Sequence, residues 1–330
     1  MSSTYRSLVS LSSPLRYLSS RYRTMSTSQT ANPSTGEKDL VIVQKHQEVT
    51  LIGINRPEVR NCINTPAAEA LLKAIQDFDN DESAKVGVLY GVGGNFCAGY
   101  DLKEIGESPP DLVSFGRGPM GPSRYTTKKP VIAAVEGFAV AGGFELALWC
   151  DLRVVEETAV MGVFCRRFGV PLIDGGTVRL PAIVGLGRAL DLILTGRPIK
   201  GEEALQWGLA NRLVACGSAV GQAVNLAQSL VKFPQGCMLA DRNSALYASY
   251  SAKSLEEALK YEHENGLPVI ISESIPGAQK FVAGVGRHGR IVVDELSTRE
   301  IMHHPIDLSS FQCRCDIYQG RRVKNNMAVS

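Results

Sequence analysis

The sequence predicts a mixed α/β core followed by a helical region. Three observations support this fold class: short apolar segments alternate with amphipathic helical patterns, two Gly-rich segments directly follow apolar strands, and helical periodicity dominates after about Gly201. The 330 residues are enough for a full-sized hydrophobic core. We divide the chain into a leader at 1–38, a ββα core at 39–200, a helical part of the same fold at 201–289, and a tail of unknown structure at 290–330.

The core begins with a predicted hairpin of two strands, Leu40–Val43 and Val49–Ile54, and Pro57 ends the second strand. An amphipathic helix from Thr65 to about Phe78 follows, because a Thr-Pro opening precedes apolar side chains at helical spacing. Further strands are expected at Lys85–Tyr90, Pro130–Val135 and Arg153–Val155, and a further helix at Gly142–Trp149. This order predicts repeated ββα units.

The remaining segments are helices and one loop. The predicted C-terminal helices are Glu202–Trp207, Ala219–Val231, Met238–Ser249 and Leu255–Asn265. We interpret them as a helical appendage that serves contacts between subunits. Segment 107–129 is rich in Gly and Pro, which predicts a mobile surface loop.

The leader has an unusual composition. Residues 1–36 contain no Asp or Glu, many Ser and Thr, and four arginines interleaved with Leu and Val. A basic, acid-poor, Ser-rich leader is typical of a mitochondrial transit peptide, and it predicts a location in the mitochondrial matrix. A disordered tail is the alternative. Met25 could provide a second start that removes most of this signal.

Charge and cysteine content exclude several classes of protein. Without the four arginines of residues 1–36 the formal charge of +2 becomes −2, so no nucleic-acid partner is expected. No apolar run approaches the roughly 20 residues of a membrane helix. The eight cysteines form no Cys-x-x-Cys pair and have no His at a zinc-ligand spacing, so we expect free thiols and no metal.

The second Gly-rich segment, Val135–Asp151, contains the strongest candidate for chemistry. Gly142 and Gly143 open an almost wholly apolar helix, so unscreened backbone N–H groups and the helix dipole could hold an anion. Glu145 lies one turn inside, and apolar surroundings should raise the pKa of its carboxyl. The alternative is structural: the glycines allow close packing, and Glu145 complements the dipole.

The first Gly-rich segment, Gly94–Glu104, is less specific. Gly91 and Gly93 follow a strand as in a dinucleotide fingerprint, but Phe96 occupies the place of the third glycine. No Gly-Lys-Ser/Thr run is present to form a phosphate-binding P-loop. A dehydrogenase is therefore not predicted.

Together, the two segments resemble the crotonase (enoyl-CoA hydratase/isomerase) superfamily, from about Val41 to Gly289. The runs Asn55–Pro57 and Gly175–Pro181 add to the resemblance. It implies a crotonase-like spiral of ββα units with a C-terminal helical region, assembled as a homotrimer or homohexamer. It also implies an acyl-CoA thioester substrate in fatty acid metabolism, and no cofactor other than coenzyme A as part of that substrate.

The resemblance also implies roles for particular residues. The backbone amides of Tyr100 and Gly142 correspond to the two oxyanion-hole donors of the family. Ala98 and the run Tyr100-Asp101-Leu102-Lys103 would line the coenzyme A adenine and the thioester. Glu145 matches the first catalytic glutamate of the hydratases.

The second hydratase glutamate has no counterpart. It should fall within Met161–Arg167, where Cys165 takes its place and no acid is present. Asp174 matches the position at which dienoyl-CoA isomerases carry a catalytic aspartate, although an Asp-Gly pair is also common in turns. We expect Cys165 to be a buried thiol and not a nucleophile, since no histidine is near it in sequence.

These residues predict an enoyl-CoA hydratase that uses Glu145 and Asp174. The first alternative is an enoyl-CoA or dienoyl-CoA double-bond isomerase, because one hydratase glutamate is missing. The second is a non-catalytic member of the fold that binds acyl-CoA or RNA. The length of the acyl chain has no sequence signal.

Overall fold

A computed structural model describes residues 39–107 and 118–284. The strands are β1 (Val41–His46), β2 (Val49–Ile54), β3 (Val86–Gly91), β4 (Val131–Val135), β5 (Phe138–Val140), β6 (Leu152–Glu156), β7 (Val160–Gly162), β8 (Ile199–Lys200) and β9 (Arg212–Val214). The helices are α1 (Thr65–Asn80), α2 (Leu102–Glu107), α3 (Gly142–Trp149), α4 (Gly176–Val184), α5 (Leu186–Thr195), α6 (Gly201–Gln206), α7 (Ala219–Val231), α8 (Gln235–Tyr250), α9 (Leu255–Val269) and α10 (Ile275–Val282). A π-helical turn at Ile270–Ser274 joins the last two helices.

The strands of the described residues form two sheets. The larger sheet has six strands in the order β1-β2-β3-β4-β6-β9, and the smaller has three in the order β5-β7-β8. In the larger sheet only the β1–β2 pair is antiparallel, with Val41 opposite Ile54. Helix α1 connects parallel β2 to β3, and α3 lies between β5 and β6. The predicted α/β fold class of ββα units is confirmed.

Two hydrophobic cores lie on opposite faces of the larger sheet. Alternate residues of its strands point to opposite faces, so neighbouring side chains such as Ile132 and Ala133 belong to different cores. Helix α7 covers one face through Ala223 and Val224, while α1 and α3 contribute to the other core. Because α7 completes a core of the sheet, it is not an appendage, and that part of the prediction is wrong.

Helix α1 shows how local sequence sets an element. The side chain of Asn64 caps its first turn by accepting a hydrogen bond from the Ala67 amide at 3.2 Å. Pro66 stands in the first turn, where its missing N–H costs nothing. Leu71 and Ile75 then bury one stripe of the helix.

The predicted mobile loop at 107–129 differs from the structure over its second half. Met120 and Ser123 are 0% and 1% exposed, and the indole of Trp149 donates a hydrogen bond to the Tyr125 carbonyl at 2.7 Å. Gly and Pro correctly indicate turns, but a turn can be buried when its polar groups have partners. The surface-loop prediction is therefore wrong for this half, while residues 108–117 lie outside the described residues.

Several further predictions concern parts of the chain at its ends. The leader at 1–38 and the tail at 290–330 lie outside the described residues. Within the described ranges, none of the helices combines the length and apolar character that a membrane span requires.

Candidate active site

One cavity brings both Gly-rich segments together with the loop before α4. Its empty volume is about 820 Å³, part of which is open to solvent. The lining residues are Ala98, Tyr100, Leu102, Ile105, Pro119, Met120, Val140, Ala141, Gly142, Glu145, Phe164, Cys165, Phe168, Val170, Pro171, Ile173 and Asp174. The two carboxyl groups of Glu145 and Asp174 thus face a largely apolar wall.

The start of α3 packs directly on the segment that follows β3. A Cβ on Gly143 would lie 2.1 Å from the Cys97 carbonyl oxygen, so a side chain cannot fit there. A Cβ on Gly99 would lie 3.1 Å from the Gly142 amide nitrogen. Ala141, which precedes the helix, has a positive φ of 55°. These close approaches place the backbone of residues 99 and 100 beside the first amides of α3.

The amides of Tyr100 and Gly142 are the two that the family resemblance assigns to an oxyanion hole. Ile63 donates to the Gly99 carbonyl at 2.9 Å, and Asp101 donates to the Ile63 carbonyl at 2.7 Å. Because backbone groups alternate along a strand, the intervening Tyr100 amide points away from Ile63. Gly142 is the first residue of α3, so its N–H has no acceptor within the helix. Both residues line the cavity.

Glu145 is 2% exposed and is held by the loop that opens α4. Its Oε1 accepts hydrogen bonds from the amides of Asp174 at 2.9 Å and Gly176 at 2.8 Å. Its Oε2 has no hydrogen-bond donor among the described residues. Burial and the charge of Asp174 raise the pKa of Glu145 to about 7, and the two amides oppose that shift.

Asp174 is 3% exposed and is held by the buried half of the 107–129 segment. Its Oδ1 accepts hydrogen bonds from the Met120 amide at 3.0 Å and from the Ser123 hydroxyl. Its Oδ2 has no donor within the described ranges. Burial raises the pKa of Asp174, while these two donors and the charges of Arg124 and Arg179 oppose the rise. The cavity therefore contains two carboxyl groups, each with one oxygen that accepts two hydrogen bonds and one that accepts none from the described residues.

Cys165 is 8% exposed, which confirms the predicted burial of its thiol, and it lies in the cavity wall. It belongs to the 3-10 turn Phe164–Phe168. Burial, and then the charge of Glu145, raise the pKa of its thiol. The neighbouring Arg167 turns its guanidinium over the Phe164 ring at 3.8 Å and donates to the Gly196 carbonyl at 3.3 Å. Cys165 is thus a neutral thiol beside Glu145.

The predicted substrate-binding residues are only partly brought to the cavity. Ala98, Tyr100 and Leu102 line it. Asp101 instead forms an ion pair with Arg56 at 3.2 Å and accepts a hydrogen bond from the Lys103 amide at 3.2 Å. The side chain of Lys103 is exposed and lies outside the cavity wall. In residues 39–107 and 118–284, no group of three or more His, Cys, Asp or Glu side chains could hold a metal ion.

Sequence reasoning missed the residues that hold Asp174. Ser123 and Met120 lie in a segment that was predicted to be a surface loop, and Arg179 lies in a run that carried no role. The guanidinium of Arg179 donates to the carbonyls of Asp174 at 2.9 Å and Ser123 at 2.7 Å. One sequence signal could have pointed to these residues. Glycine and proline alternate closely from Gly118 to Pro122, and such a cluster of turn-forming residues restricts the path of the backbone.

Comparison with known proteins identifies the family. The sequence model of the enoyl-CoA hydratase/isomerase family matches residues 44–282, so the chain belongs to this family. The fold is also similar to the crystal structure of enoyl-CoA hydratase EchA1 from Mycobacterium marinum, with a TM-score of 0.70 and 32% identity. That match covers 74% of this chain and 96% of the other.

Two curated relatives give the same family. Enoyl-CoA hydratase EchA19 of Mycobacterium tuberculosis is 37% identical over 196 residues, covering 57% of this chain and 73% of the relative. Carnitinyl-CoA dehydratase of Salmonella paratyphi A is 34% identical over 213 residues, covering 64% of this chain and 80% of the relative.

The predicted mitochondrial location is wrong. These relatives are bacterial proteins, and bacteria have no mitochondria. The prediction depended on composition alone, and Ser-rich segments that are poor in apolar residues also occur in unfolded regions without any targeting role. The interpretation of residues 1–38 as a transit peptide loses its support with the location, and these residues lie outside the described ranges.

Proposed function

We propose that the protein is an enoyl-CoA hydratase that reversibly adds water to a 2-enoyl-CoA thioester. The observation that carries the proposal is the presence of Glu145 and Asp174 on one apolar cavity, each with one carboxyl oxygen that has no donor among the described residues. The names of the relatives support hydration, since one is an enoyl-CoA hydratase and another a carnitinyl-CoA dehydratase.

The amides of Tyr100 and Gly142 are the proposed oxyanion hole. They would donate hydrogen bonds to the thioester oxygen, and the dipole of α3 would stabilise the charge that develops there. Each such donor is typically worth about 10²–10³ in rate. Ala98 and Leu102 would pack beside the thioester, whereas the positions of Asp101 and Lys103 suit the outer, polar part of coenzyme A.

The two carboxyl groups would then divide the proton transfers. Asp174 would act as the base, because two hydrogen bonds on Oδ1 and the charges of Arg124 and Arg179 favour its ionised form against the effect of burial. It would take a proton from water while the water oxygen bonds to Cβ of the enoyl group. Glu145, with a pKa of about 7, would supply the proton to Cα. The proton left on Asp174 would return to Glu145 through water. The reaction requires no cofactor beyond the coenzyme A of the substrate.

Double-bond isomerisation is the second candidate. It is favoured by Cys165, a neutral thiol at the position of the second hydratase glutamate. With that acid absent, Asp174 could remove a proton from the γ-carbon while Glu145 protonates the α-carbon. The same oxyanion hole would stabilise the intermediate in both reactions.

We further propose that the chain assembles as a homotrimer or homohexamer. Helix α5 presents Leu186, Leu190 and Leu194 at four-residue spacing, and they are 64%, 40% and 69% exposed. Apolar side chains that line one helix face are typical of subunit contacts. Light scattering on the full chain measures this directly.

The first experiment incubates the full chain with crotonyl-CoA in deuterated water and follows the products by mass spectrometry and NMR. We expect 3-hydroxyacyl-CoA with one deuterium on Cα. The Glu145→Gln variant should lose about 10²–10⁴ in rate, because an amide cannot donate a catalytic proton. Glu136→Gln is the matched control, since it changes a half-buried glutamate whose pKa is also raised to about 7 and which lies outside the cavity wall.

The outcomes separate the candidates. Double-bond migration or deuterium exchange without hydration, tested on 3-enoyl and dienoyl thioesters, would replace the hydratase with the isomerase. Equal rates for wild type and Glu145→Gln would remove the proposed role of Glu145. Binding of acyl-CoA without turnover of any of these thioesters would contradict both activities.

A further inference from the structure

Ser123 occupies a buried position that faces Asp174. Its side chain is 1% exposed, and its hydroxyl donates to Oδ1 of Asp174. The Met120 amide donates to the same oxygen at 3.0 Å. Gly118 completes the contact, since a Cβ there would lie 2.8 Å from Oδ1 and closer still to the Ser123 hydroxyl. Residues 118–123 are therefore packed tightly around Oδ1 of Asp174.

Arg179 fixes Ser123 and Asp174 relative to each other. Its guanidinium donates to both of their backbone carbonyls, at 2.7 Å and 2.9 Å respectively. A planar guanidinium with two such bonds restrains the distance between the two segments. Arg179 thus restrains the backbone of both residues, and with it the contact between the Ser123 hydroxyl and the Asp174 carboxylate.

Four titratable or charged groups act on the Asp174 carboxyl from the elements around it. Glu145 on α3 places a like charge nearby, and Arg179 on α4 and Arg124 on the loop provide opposite charges. Cys97, behind the oxyanion segment, interacts weakly as a buried thiol. None of these four groups donates a hydrogen bond to the Asp174 carboxyl. Among the described residues, Ser123 is the side chain that donates one.

We propose that Ser123 is a positioning residue that holds Asp174 ionised, with Oδ1 occupied and Oδ2 turned toward the substrate. The inference rests on the proposed function, in which Asp174 acts as the base. A hydrogen bond to the charged form of a carboxyl favours that form. Ser123 thereby helps to decide which of the two carboxyl groups carries the proton at neutral pH, leaving it on Glu145.

The test compares three variants of the full chain. Ser123→Ala removes the hydroxyl, and Ser123→Cys keeps most of the side-chain volume but offers only a weak donor. Ser244→Ala is the matched control, because Ser244 is a buried serine whose hydroxyl donates to the Ala240 carbonyl at 2.9 Å, outside the cavity wall. The measurements are kcat and KM for crotonyl-CoA across pH, and the titration of ¹³Cγ-labelled aspartates by NMR, with Asp174→Asn used to assign the signal.

We expect Ser123→Ala to lower kcat about tenfold with KM nearly unchanged, and to move the acidic limb of the pH profile upward by about one pH unit. Ser123→Cys should behave like Ser123→Ala, and Ser244→Ala like wild type. The NMR titration of Asp174 should shift upward in both Ser123 variants.

An unchanged acidic limb together with an unchanged Asp174 titration would overturn the inference, even if kcat falls. If Ser123→Cys behaves like wild type, the inference is also overturned, because side-chain volume at position 123 and not the hydrogen bond would then set the activity. The NMR titration separates the two proposals, because it does not require turnover. If wild type fails to hydrate but the Asp174 titration still shifts, the proposed function fails and the hydrogen-bond role of Ser123 stands.

Discussion

Two regions of the described chain each contain a pair of neighbouring carboxyl groups that are buried or half-buried, and the regions differ in what surrounds the oxygens. Burial and the charge of a neighbouring carboxyl raise the pKa of Glu136 to about 7 beside Glu156, and that of Glu145 to about 7 beside Asp174. At the start of α7, Glu156 accepts a hydrogen bond from the Gly217 amide. The amides that follow Gly217 oppose the rise in pKa, at Glu156 through Ser218 and Ala219 and at Glu136 through Val220. The Glu136–Glu156 pair therefore lies at the N-terminal end of α7, beside its first backbone amides.

The cavity pair has a different arrangement. Glu145 and Asp174 each use one oxygen for structure and leave the other without a donor in the described part of the chain. Both line the cavity, and neither Glu136 nor Glu156 does. A raised pKa therefore identifies a buried acid, whereas an available oxygen on a cavity distinguishes a candidate catalytic acid from a structural one.

The largest expected effect is on the cavity pair. Asp174→Asn should lower kcat for hydration by about 10²–10³, because an amide cannot accept the proton from water. Steady-state kinetics on crotonyl-CoA measures this. Asp79→Asn is the control, since Asp79 is 3% exposed and binds the Tyr125 hydroxyl at 2.8 Å outside the cavity wall. Equal losses in both variants would attribute the effect to folding.

A smaller effect is expected on stability at the structural pair. The folded-state pKa of Glu136 is about 7 against an ordinary 4.5, so between these values the folded chain holds a proton that the unfolded chain has released. Stability from this group is complete below pH 4.5 and is lost as pH rises through 7. Glu136→Gln removes the titration, so its melting temperature should exceed that of wild type by about 2–5 °C at pH 8.

The two proteins should melt together well below pH 4.5, where Glu136 is protonated in both the folded and the unfolded state. Calorimetry across pH measures the difference, and kcat at pH 7 should be unchanged. A constant difference in melting temperature at every pH would show that the Glu136 carboxyl does not titrate as described.

The smallest effect is expected at Cys165. Burial keeps its thiol neutral, so it cannot act as a base beside Glu145. Cys165→Ala should keep kcat within about threefold of wild type, with only the loss of a small packed group. If kcat instead falls more than tenfold in Cys165→Ala and is restored in Cys165→Ser, the S–H group takes part in proton transfer. Cys165 would then join Glu145 and Asp174 as a third proton-transfer group of the cavity.

The sequence was sufficient to predict those helices whose bounds depend on local residue patterns. The bounds of α3 and α7 agree with the helices predicted at Gly142–Trp149 and Ala219–Val231, because apolar periodicity and glycine placement are local properties. The strands β5 and β7, with three residues each, were not predicted, because so short a segment has no measurable period. Ser123 was missed because its partner lies 51 positions along the chain.

The sequence by itself determined the α/β class, the family resemblance and the identity of the two candidate acids, since these depend on residue types at fixed spacing. Only the tertiary structure decided which oxygen of each acid is occupied, which of the predicted binding residues line the cavity, and that part of a Gly- and Pro-rich segment is buried against Asp174. The physical reason is that hydrogen bonds and desolvation depend on neighbours in space, and those neighbours are brought together by packing of distant segments.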